Sequence, residues 1–350
     1  MLMEYQREGG RTVLEQPIPN SNLAPVGNPA RGWPLSVAAV IPLYNGGRYI
    51  DAALRSVWVQ TVAPDEIIVV NDGSTDDGPA IVARLAQTHK ITILAKPNGG
   101  QSSARNMGVA HARSDLIAFL DQDDIWYPAH IAELSHPFER DNRIGVVDSN
   151  IDEIDVVGNL RKRAVHDQHR SKHPKPNIVE CLRANMEILP TAAIVRRSAI
   201  EAVGGFDDRL SGYEDDDLFV RIFQAGYTST YVAVPLGQWR KHSESSFHSP
   251  RMDRSRLIYA EKLYKTFPEH RRLICERFFG PARRKLYLAI RSSNHDLARQ
   301  YFAESMSYLE CVPFGARLGG YAKLFSRIAR GYLHRRIGSK DGPDVASPAR

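Results

Sequence analysis

The sequence predicts an α/β fold with a mostly parallel central sheet flanked by helices and a helical extension at its C-terminal end. Three observations carry that expectation. Short apolar runs at 37–41, 66–70, 91–94 and 116–120 alternate with segments of helical periodicity, and strands covered on both faces of a parallel sheet read as such unbroken runs. The runs at 37–41, 66–70 and 116–120 empty into polar residues, where open α/β sheets place their ligand crevice. Beyond about residue 251 no strand-like run remains and the pattern is helical and basic.

Residues 1–35 include Pro17, Pro19, Pro25, Pro29 and Pro34. Prolines break helices and central strands, so a disordered or loosely attached arm is expected. The run at 37–41 is a buried strand closed by Pro42. After the turn Tyr44-Asn45-Gly46-Gly47, Ile50, Ala53, Leu54, Val57 and Trp58 recur at helical spacing. The strand at 66–70 ends on Asn71-Asp72-Gly73-Ser74, and a helix from about Asp76 puts Ile81, Val82, Leu85 and Ala86 on one face. A third strand at 91–94 leads into a loop at 96–101, and Ser102 is expected to cap a helix running to about His111. The strand at 116–120 completes a half-domain of four strands and three helices.

From 125 to about 250 the pattern loosens. A helix is expected at 128–140, a short strand at 145–147 and an apolar strand at 191–195. The polar segment 161–176, with three histidines and two prolines, reads as a mobile loop. A further helix opens on Glu214-Asp215-Asp216-Asp217 and has Leu218, Phe219, Ile222 and Phe223 as its core face. The expected organisation is an arm at 1–35, a body at 36–250 and a basic helical extension at 251–350.

Composition narrows the class. A chain of 350 residues, 43% hydrophobic and 25% charged, suits an ordinary globular protein. No apolar run approaches the roughly 18 residues that span a bilayer, and the first residues lack the basic flank and apolar stretch of a signal peptide. Cys181, Cys275 and Cys311 are odd in number and scattered, which argues against a disulfide framework or a zinc site. A cytoplasmic location is expected, with the inner face of the membrane as a candidate station. The net charge of +6 is uneven: residues 251–350 hold 21 Lys and Arg against 9 Asp and Glu, and the first 250 hold 25 against 31. That division does not describe a nucleic-acid-binding surface.

Carboxylates gather at two places. Asp121, Asp123 and Asp124, with Gln122 between them, stand at the end of the 116–120 strand. Carboxylates this close repel unless a cation sits between them. Mg²⁺ or Mn²⁺, held by one or two carboxylates together with substrate phosphates, fits the pattern; a solvated acidic turn is the bland alternative. On the same rim, Asp72 could accept from a base edge or a ribose hydroxyl, or stabilise its own turn. Arg105, one turn into its helix, could reach a diphosphate or Asp121.

The second cluster, Glu214 to Asp217, lies in a first helical turn, where the dipole favours negative charge. Mutual repulsion makes capping a poor account of four acids in a row. A carboxylate near a metal-bound electrophile, but not on the metal, is what a general base for a hydroxyl nucleophile requires. His242, after Gln238-Trp239-Arg240-Lys241, could complete a metal shell, touch phosphate or be structural.

Six ordered blocks resemble glycosyltransferase family 2. They are Val40-Ile41-Pro42-Leu43-Tyr44-Asn45; Val69-Val70-Asn71-Asp72-Gly73-Ser74-Thr75-Asp76; Asn98-Gly99-Gly100-Gln101-Ser102-Ser103-Ala104-Arg105-Asn106; Phe119-Leu120-Asp121-Gln122-Asp123-Asp124; Gly204-Gly205-Phe206-Asp207 with Glu214 to Leu218; and Arg240-Lys241-His242. The likeness covers about 37–248. It implies a GT-A-type nucleotide-diphospho-sugar transferase fold, a nucleotide-sugar donor (usually a UDP-sugar), a divalent metal and inversion at the anomeric carbon. It also implies a hydroxyl acceptor on a growing polysaccharide, lipopolysaccharide or other glycoconjugate.

By the same likeness Pro42, Tyr44, Asn45 and Asp72 would hold the nucleoside, with Asp72 facing the base. Asn98, Gly100 and Arg105 would line the nucleotide and diphosphate path. Asp121, Gln122 and Asp123 would form the Asp-x-Asp site, with Asp123 the direct metal ligand, Asp121 beside it and His242 a further metal or phosphate ligand. Asp215 matches the catalytic base, and Glu214 and Trp239 fall on the acceptor side. One position departs: members of the family often carry an aromatic where this chain has Asp216. An acid there could crowd the base or raise its pKa.

Two other readings stand beside this one. A sugar nucleotidyltransferase would show a Gly-rich basic loop near the first strand, where this chain has Tyr44-Asn45-Gly46-Gly47 and only Arg48 is basic. A catalytically degenerate body acting at a membrane surface would not need both acidic clusters. The stretch 313–337 keeps a membrane contact in view, because Leu318, Tyr321, Phe325, Ile328 and Tyr332 share one helical face amid dense Arg and Lys. Such a helix suits an anionic surface, or packing against the body or a second subunit. A lipid-linked or glycan acceptor and an oligomeric state fit the same features.

Overall fold

The computed structural model describes residues 35–168, 173–242 and 251–310, with Leu318, Gly319, Ala322 and Ser326 beyond them. The expected arm, Leu35 apart, and the amphipathic stretch 313–337, those four positions apart, lie outside the described residues. The first half is a regular alternation: β1 (Val37–Leu43), α1 (Gly47–Trp58), β2 (Glu66–Asn71), α2 (Gly78–Leu85), β3 (Thr92–Ala95), α3 (Gln101–His111) and β4 (Leu116–Phe119). The second half has β5 (Ile125–Trp126), α4 (His130–Ser135), β6 (Ile144–Ile154), β7 (Leu160–Lys162), α5 (Ile178–Arg183), β8 (Ala193–Arg196), α6 (Arg197–Ala202), α7 (Glu214–Gln224) and β9 (Thr228–Arg240). Three helices follow: α8 (Arg251–Thr266), α9 (Arg271–Arg291) and α10 (His295–Glu310).

One sheet runs in the order β3-β2-β1-β4-β8-β6-β9-β5, with β7 beside β6. The β3-β2-β1-β4 half is parallel throughout. Beyond it the sheet is mixed, because β8 runs antiparallel to both β4 and β6 while β6 and β9 are parallel. All seven residues of β1 are buried, and their two faces feed different cores. Val40 packs with Ile68, Ile117 and Phe119 on one side; Ile41 packs with Ile50, Leu54 and Val69 on the other. This is why the strand carries no polar alternation. Gly108 of α3 is required by close approach, since a Cβ there would lie 2.4 Å from Val40 Cγ1.

The C-terminal helices join the same core. Tyr259, Leu263, Ile274 and Phe278 belong to one apolar cluster with Leu218 and Phe219 of α7 and the β1 and β2 side chains. Much of the basic charge in this region is paired internally: Arg256 with Glu304 at 2.7 Å, and Lys262 with Asp207 and Asp217 at 2.7 and 2.6 Å. Among the described residues no helix is long and apolar enough to cross a membrane.

Several expectations need correction. The cap of α3 is Gly100 at φ 88°, not Ser102, which is buried and donates its hydroxyl to Leu210 O at 3.0 Å. The helix expected at 128–140 spans six residues and passes into a 3₁₀ turn at His136–Glu139. The short strand expected at 145–147 is the 11-residue β6, and β9, of 13 residues, was not expected at all. The apolar run at 191–195 starts as a 3₁₀ turn before β8. The segment read as a mobile loop at 161–176 holds part of β7 and buries His166 and the side chain of His173 beside Asp148; positions 169–172 within it lie outside the described residues.

Candidate active site

The ends of β1, β2 and β4, the loop into α3 and its first turns, the start of α7 and the end of β9 supply the polar residues singled out from the sequence. The rim is held by side chains that bond backbone across strands. Gln122 clasps Tyr44 both ways, accepting from its N–H at 2.8 Å and donating to its carbonyl at 3.0 Å. Asn45, in the left-handed region at φ 49°, accepts from Thr75 N–H at 2.8 Å, which ties the β1 turn to the β2 turn. Pro42 pairs with Val70 in register, and Tyr44 is 46% exposed at the lip.

Asp72 does not present a free carboxylate to the cleft. It is buried and accepts from Lys96 Nζ at 2.7 Å, Gly99 N–H at 2.9 Å and Gly100 N–H at 2.7 Å. It therefore organises the 96–100 loop that carries Asn98, whose side-chain oxygen also accepts from Gly100 N–H at 3.2 Å. Gly73 permits the turn: its φ is 74°, and a Cβ would meet Asn98 N at 2.8 Å.

Arg105 is the hub. Its buried guanidinium reaches Asp121 at 2.6 Å with one nitrogen and Glu214 at 3.1 Å with another, and it lies over the Phe206 ring at 5.4 Å. Burial opposes the charge, but Asp121 and Glu214 outweigh it and hold the pKa above the ordinary arginine value. Of the two options left open by the sequence, Arg105 thus takes the Asp121 contact, and Glu214 as well. Glu214 also accepts from the Gln101 amide and from Gly212 N–H at 2.7 Å. Glu214, expected on the acceptor side, is buried and its carboxylate oxygens are engaged by these partners.

The putting together of distant residues is clearest at Asp123 and His242. His242 Nε2 lies 2.7 Å from Asp123 Oδ2, across 119 residues of sequence. Burial and the neighbouring Asp121 carboxylate push the Asp123 pKa up, against the His242 contact. His242 Nδ1 is buried without a hydrogen-bond partner, and its ring lies 5.5 Å from Tyr49. A crowded carboxylate beside an imidazole with one nitrogen unbonded fits a cation-binding pair. Asp121 is engaged with Arg105 instead, and among the described residues it does not share a compact three-ligand group with Asp123 and His242. Asp124, unassigned from the sequence, is the support: buried, it accepts from Arg240 N–H at 2.8 Å, while Arg240 Nε donates to Asp123 O at 2.8 Å.

The four acids of α7 separate by partner. Glu214 meets Arg105; Asp216 meets Arg277 of α9 and accepts from Met186 N–H at 2.8 Å; Asp217 meets Arg221 and Lys262. Asp215 alone of the four makes no ion pair among the described residues, accepting only from Asp216 N–H at 2.8 Å. Burial, then the charges of Glu214 and Asp216, push its pKa well above the usual carboxylate range. The acid expected to crowd the base is therefore matched by a cation from a helix 61 residues away, a partner that no local pattern announces. Trp239 is partly buried against Ile151, Val165 and Ala192, with Lys241 Nζ 4.5 Å from its ring centre.

Residues 38–204 match the family model described as "Glycosyl transferase family 2". The chain is 30% identical over 198 residues to an uncharacterized glycosyltransferase of Rickettsia conorii, covering 54% of this chain and 31% of that protein. It is 26% identical over 233 residues to the hyaluronan synthase of Pasteurella multocida, covering 64% of this chain and 23% of the synthase. The chain thus spans about a third or less of these curated relatives. Among solved structures, Staphylococcus aureus TarS 1–349 in complex with UDP-GlcNAc aligns with a TM-score of 0.65 at 15% identity, over 89% of this chain and 95% of that one. The mannosyltransferase PcManGT of Pyrobaculum calidifontis, in complex with GDP-Man and Mn²⁺, aligns with a TM-score of 0.52 at 18% identity, over 88% and 89%. At such identities the likeness establishes the fold, which is of the GT-A type.

Proposed function

Because this chain carries a domain of glycosyltransferase family 2, we propose that it transfers a sugar from a nucleotide-diphospho-sugar, in the first instance a UDP-sugar, to a hydroxyl acceptor with inversion at the anomeric carbon. The observation that carries this reading is the division of labour among the carboxylates: Asp123 is paired with His242, whereas Asp215 makes no ion pair among the described residues, on a helix that Arg105 ties to Asp121. The UDP-GlcNAc and GDP-Man bound by the aligned structures support a nucleotide-sugar donor.

In this account Pro42, Tyr44, Asn45 and the loop held by Asp72 receive the nucleoside, and Asn98, Gly100 and Arg105 line the diphosphate path. Asp123 and His242, with Asp121 adjacent, would hold Mg²⁺ or Mn²⁺, which supplies charge compensation for the departing diphosphate. Asp215 takes the proton of the acceptor hydroxyl as that oxygen attacks the anomeric carbon from the face opposite the leaving group. Its raised pKa suits a base that works near neutrality. Arg105, fixed between Asp121 and Glu214, keeps the donor rim and the base helix in register, and orientation of this kind lowers the barrier substantially. One displacement with one base inverts the configuration.

The acceptor we propose is a growing glycan or a lipid-linked sugar, with the basic stretch 313–337 as the peripheral membrane contact. Co-sedimentation with anionic liposomes that survives deletion of 313–350 would remove that contact. The transferase reading itself is tested by a panel of nucleotide sugars, scored by thermal shift with and without Mn²⁺ and then by nucleotide release. One donor should raise the melting temperature only with the metal; a panel without any metal-dependent shift sinks the proposal.

A further inference from the structure

We propose that Asp148, His166 and His173 form a second metal site, for one divalent ion of the zinc class, that fastens the chain at His166 and at His173 to the middle of the sheet. It is independent of the transferase reading and shares no residue with the donor site.

Asp148 lies on β6, level with Ala193 of β8 and Tyr231 of β9, and is completely buried. His166 is 5% exposed, and the His173 side chain 4%. One ligand atom from each of the three can be chosen so that all lie within 4.8 Å of one another, and this is the group of three or more found among the described residues. His173 Nδ1 is 2.9 Å from Asp148 Oδ2, close enough for an ion pair, yet neither Asp148 oxygen and neither His173 nitrogen makes a properly aligned hydrogen bond. Buried polar groups are almost always hydrogen-bonded, and a buried carboxylate with unaligned neighbours calls for a ligand or a counter-charge. A buried carboxylate and an imidazole that stand 2.9 Å apart without an aligned hydrogen bond, with a second imidazole in reach, fit a shared ion between them. The two imidazoles lie parallel, 3° apart in plane with ring centres 4.9 Å apart, and the Tyr231 ring centre is 4.8 Å from that of His173.

The ligand set names the ion. Two imidazoles and one carboxylate suit zinc and its neighbours in the first transition row, whereas Mg²⁺ and Ca²⁺ prefer oxygen donors. Three protein ligands leave a fourth position for water. The cysteine count argued against zinc, but this site uses no cysteine. Its place gives it a consequence: the chain after His173 leads into α5 and Met186, whose N–H donates to Asp216 at 2.8 Å beside the proposed base. The rival explanation is that Lys175, buried nearby and interacting electrostatically with Asp148, together with protonated His173 supplies the counter-charge.

The test is metal content of the full chain, expressed without a polyhistidine tag and purified without chelator. About one zinc per chain should remain after gel filtration, as for structural sites that bind tightly at neutral pH. His173→Ala should lose it, and Asp123→Ala should keep it. Cobalt substitution of the wild-type protein gives a second readout that does not depend on any variant folding: visible absorption bands of tetrahedral Co²⁺ are expected. Absence of stoichiometric metal from the wild type together with no Co²⁺ bands, or zinc retained in full by a folded His173→Ala protein and lost by Asp123→Ala, overturns the proposal.

Discussion

Asp216 of α7 and Arg277 of α9 form a buried ion pair that joins the acidic run to the C-terminal helices. Arg277 also donates to Cys181 O at 3.1 Å and to the Asn185 side chain at 3.0 Å, and lies over the Tyr259 and Phe278 rings. The charge that would otherwise add to the repulsion around Asp215 is therefore opposed from outside the α/β body. Removing one partner of such a pair leaves an uncompensated buried charge, whereas replacing both with apolar groups does not. Arg277→Met should cost about 3–5 kcal/mol of stability, and adding Asp216→Leu should recover most of it. Urea unfolding of the two proteins decides; a loss below about 1 kcal/mol in the single variant contradicts the pairing.

A stability effect of opposite sign is expected at Asp215. Burial, Glu214 and Asp216 raise its pKa in the fold, so the ionised carboxylate costs stability at neutral pH, and that cost disappears as pH falls through the raised value. Asp215→Asn should raise the melting temperature at pH 7 by about 2 °C or more, and the gain should fade in acid. Thermal scans at pH 7 and pH 4 check both parts. A lowered melting temperature at pH 7 would mean that the carboxylate is needed structurally.

If Asp215 is the base we propose, the same shift sets the pH dependence of transfer. Only ionised Asp215 can accept the hydroxyl proton, so the rate should fall on the acid side through a pKa above the ordinary aspartate value of about 3.9. The kcat/KM profile reads this directly. A rate unchanged down to about pH 4 would place the base elsewhere.

The donor site makes a separate demand. Asp123→Ala and His242→Ala should each weaken Mn²⁺-dependent donor binding at least about tenfold, measured by calorimetry with the donor found in the panel. Equal affinity with and without the metal in the wild type would dissolve the assignment of Asp123 and His242.

A packing prediction concerns the frame. Gly108→Ala forces a methyl against Val40 Cγ1, and overpacking of this kind costs about 1–3 kcal/mol. Chemical denaturation should show that loss with the slope unchanged.

The parallel half was legible because the apolar runs of β1, β2 and β4 are short, carry no polar alternation and are bounded by turn residues, as strands covered on both faces of a parallel sheet are. The register of β6 and β9 was not, because β6 buries Asp148, Ser149, Asn150, Asp152 and Glu153. Two of those polar residues find partners on other elements: Asp152 accepts from Tyr127 and from Ala164 N–H, and Asn150 donates to Asp167. Only the folded chain supplies such compensation, so a polar stretch reads as loop until its partners are known. At the site, the rim positions and the approach of His242 to Asp123 followed the sequence blocks. The engagement of Glu214, the internal use of Asp72 and the Arg277 contact did not, since each depends on how a distant loop or helix docks.

The central claim is that Asp215 acts on the acceptor while Asp123 and His242 serve the donor. The measurement that tests it most directly is donor affinity and sugar transfer in one preparation of Asp215→Asn. The account predicts donor affinity within about twofold of wild type and transfer reduced by about 10²-fold or more. Transfer near the wild-type rate, or loss of donor binding in step with transfer, would contradict it.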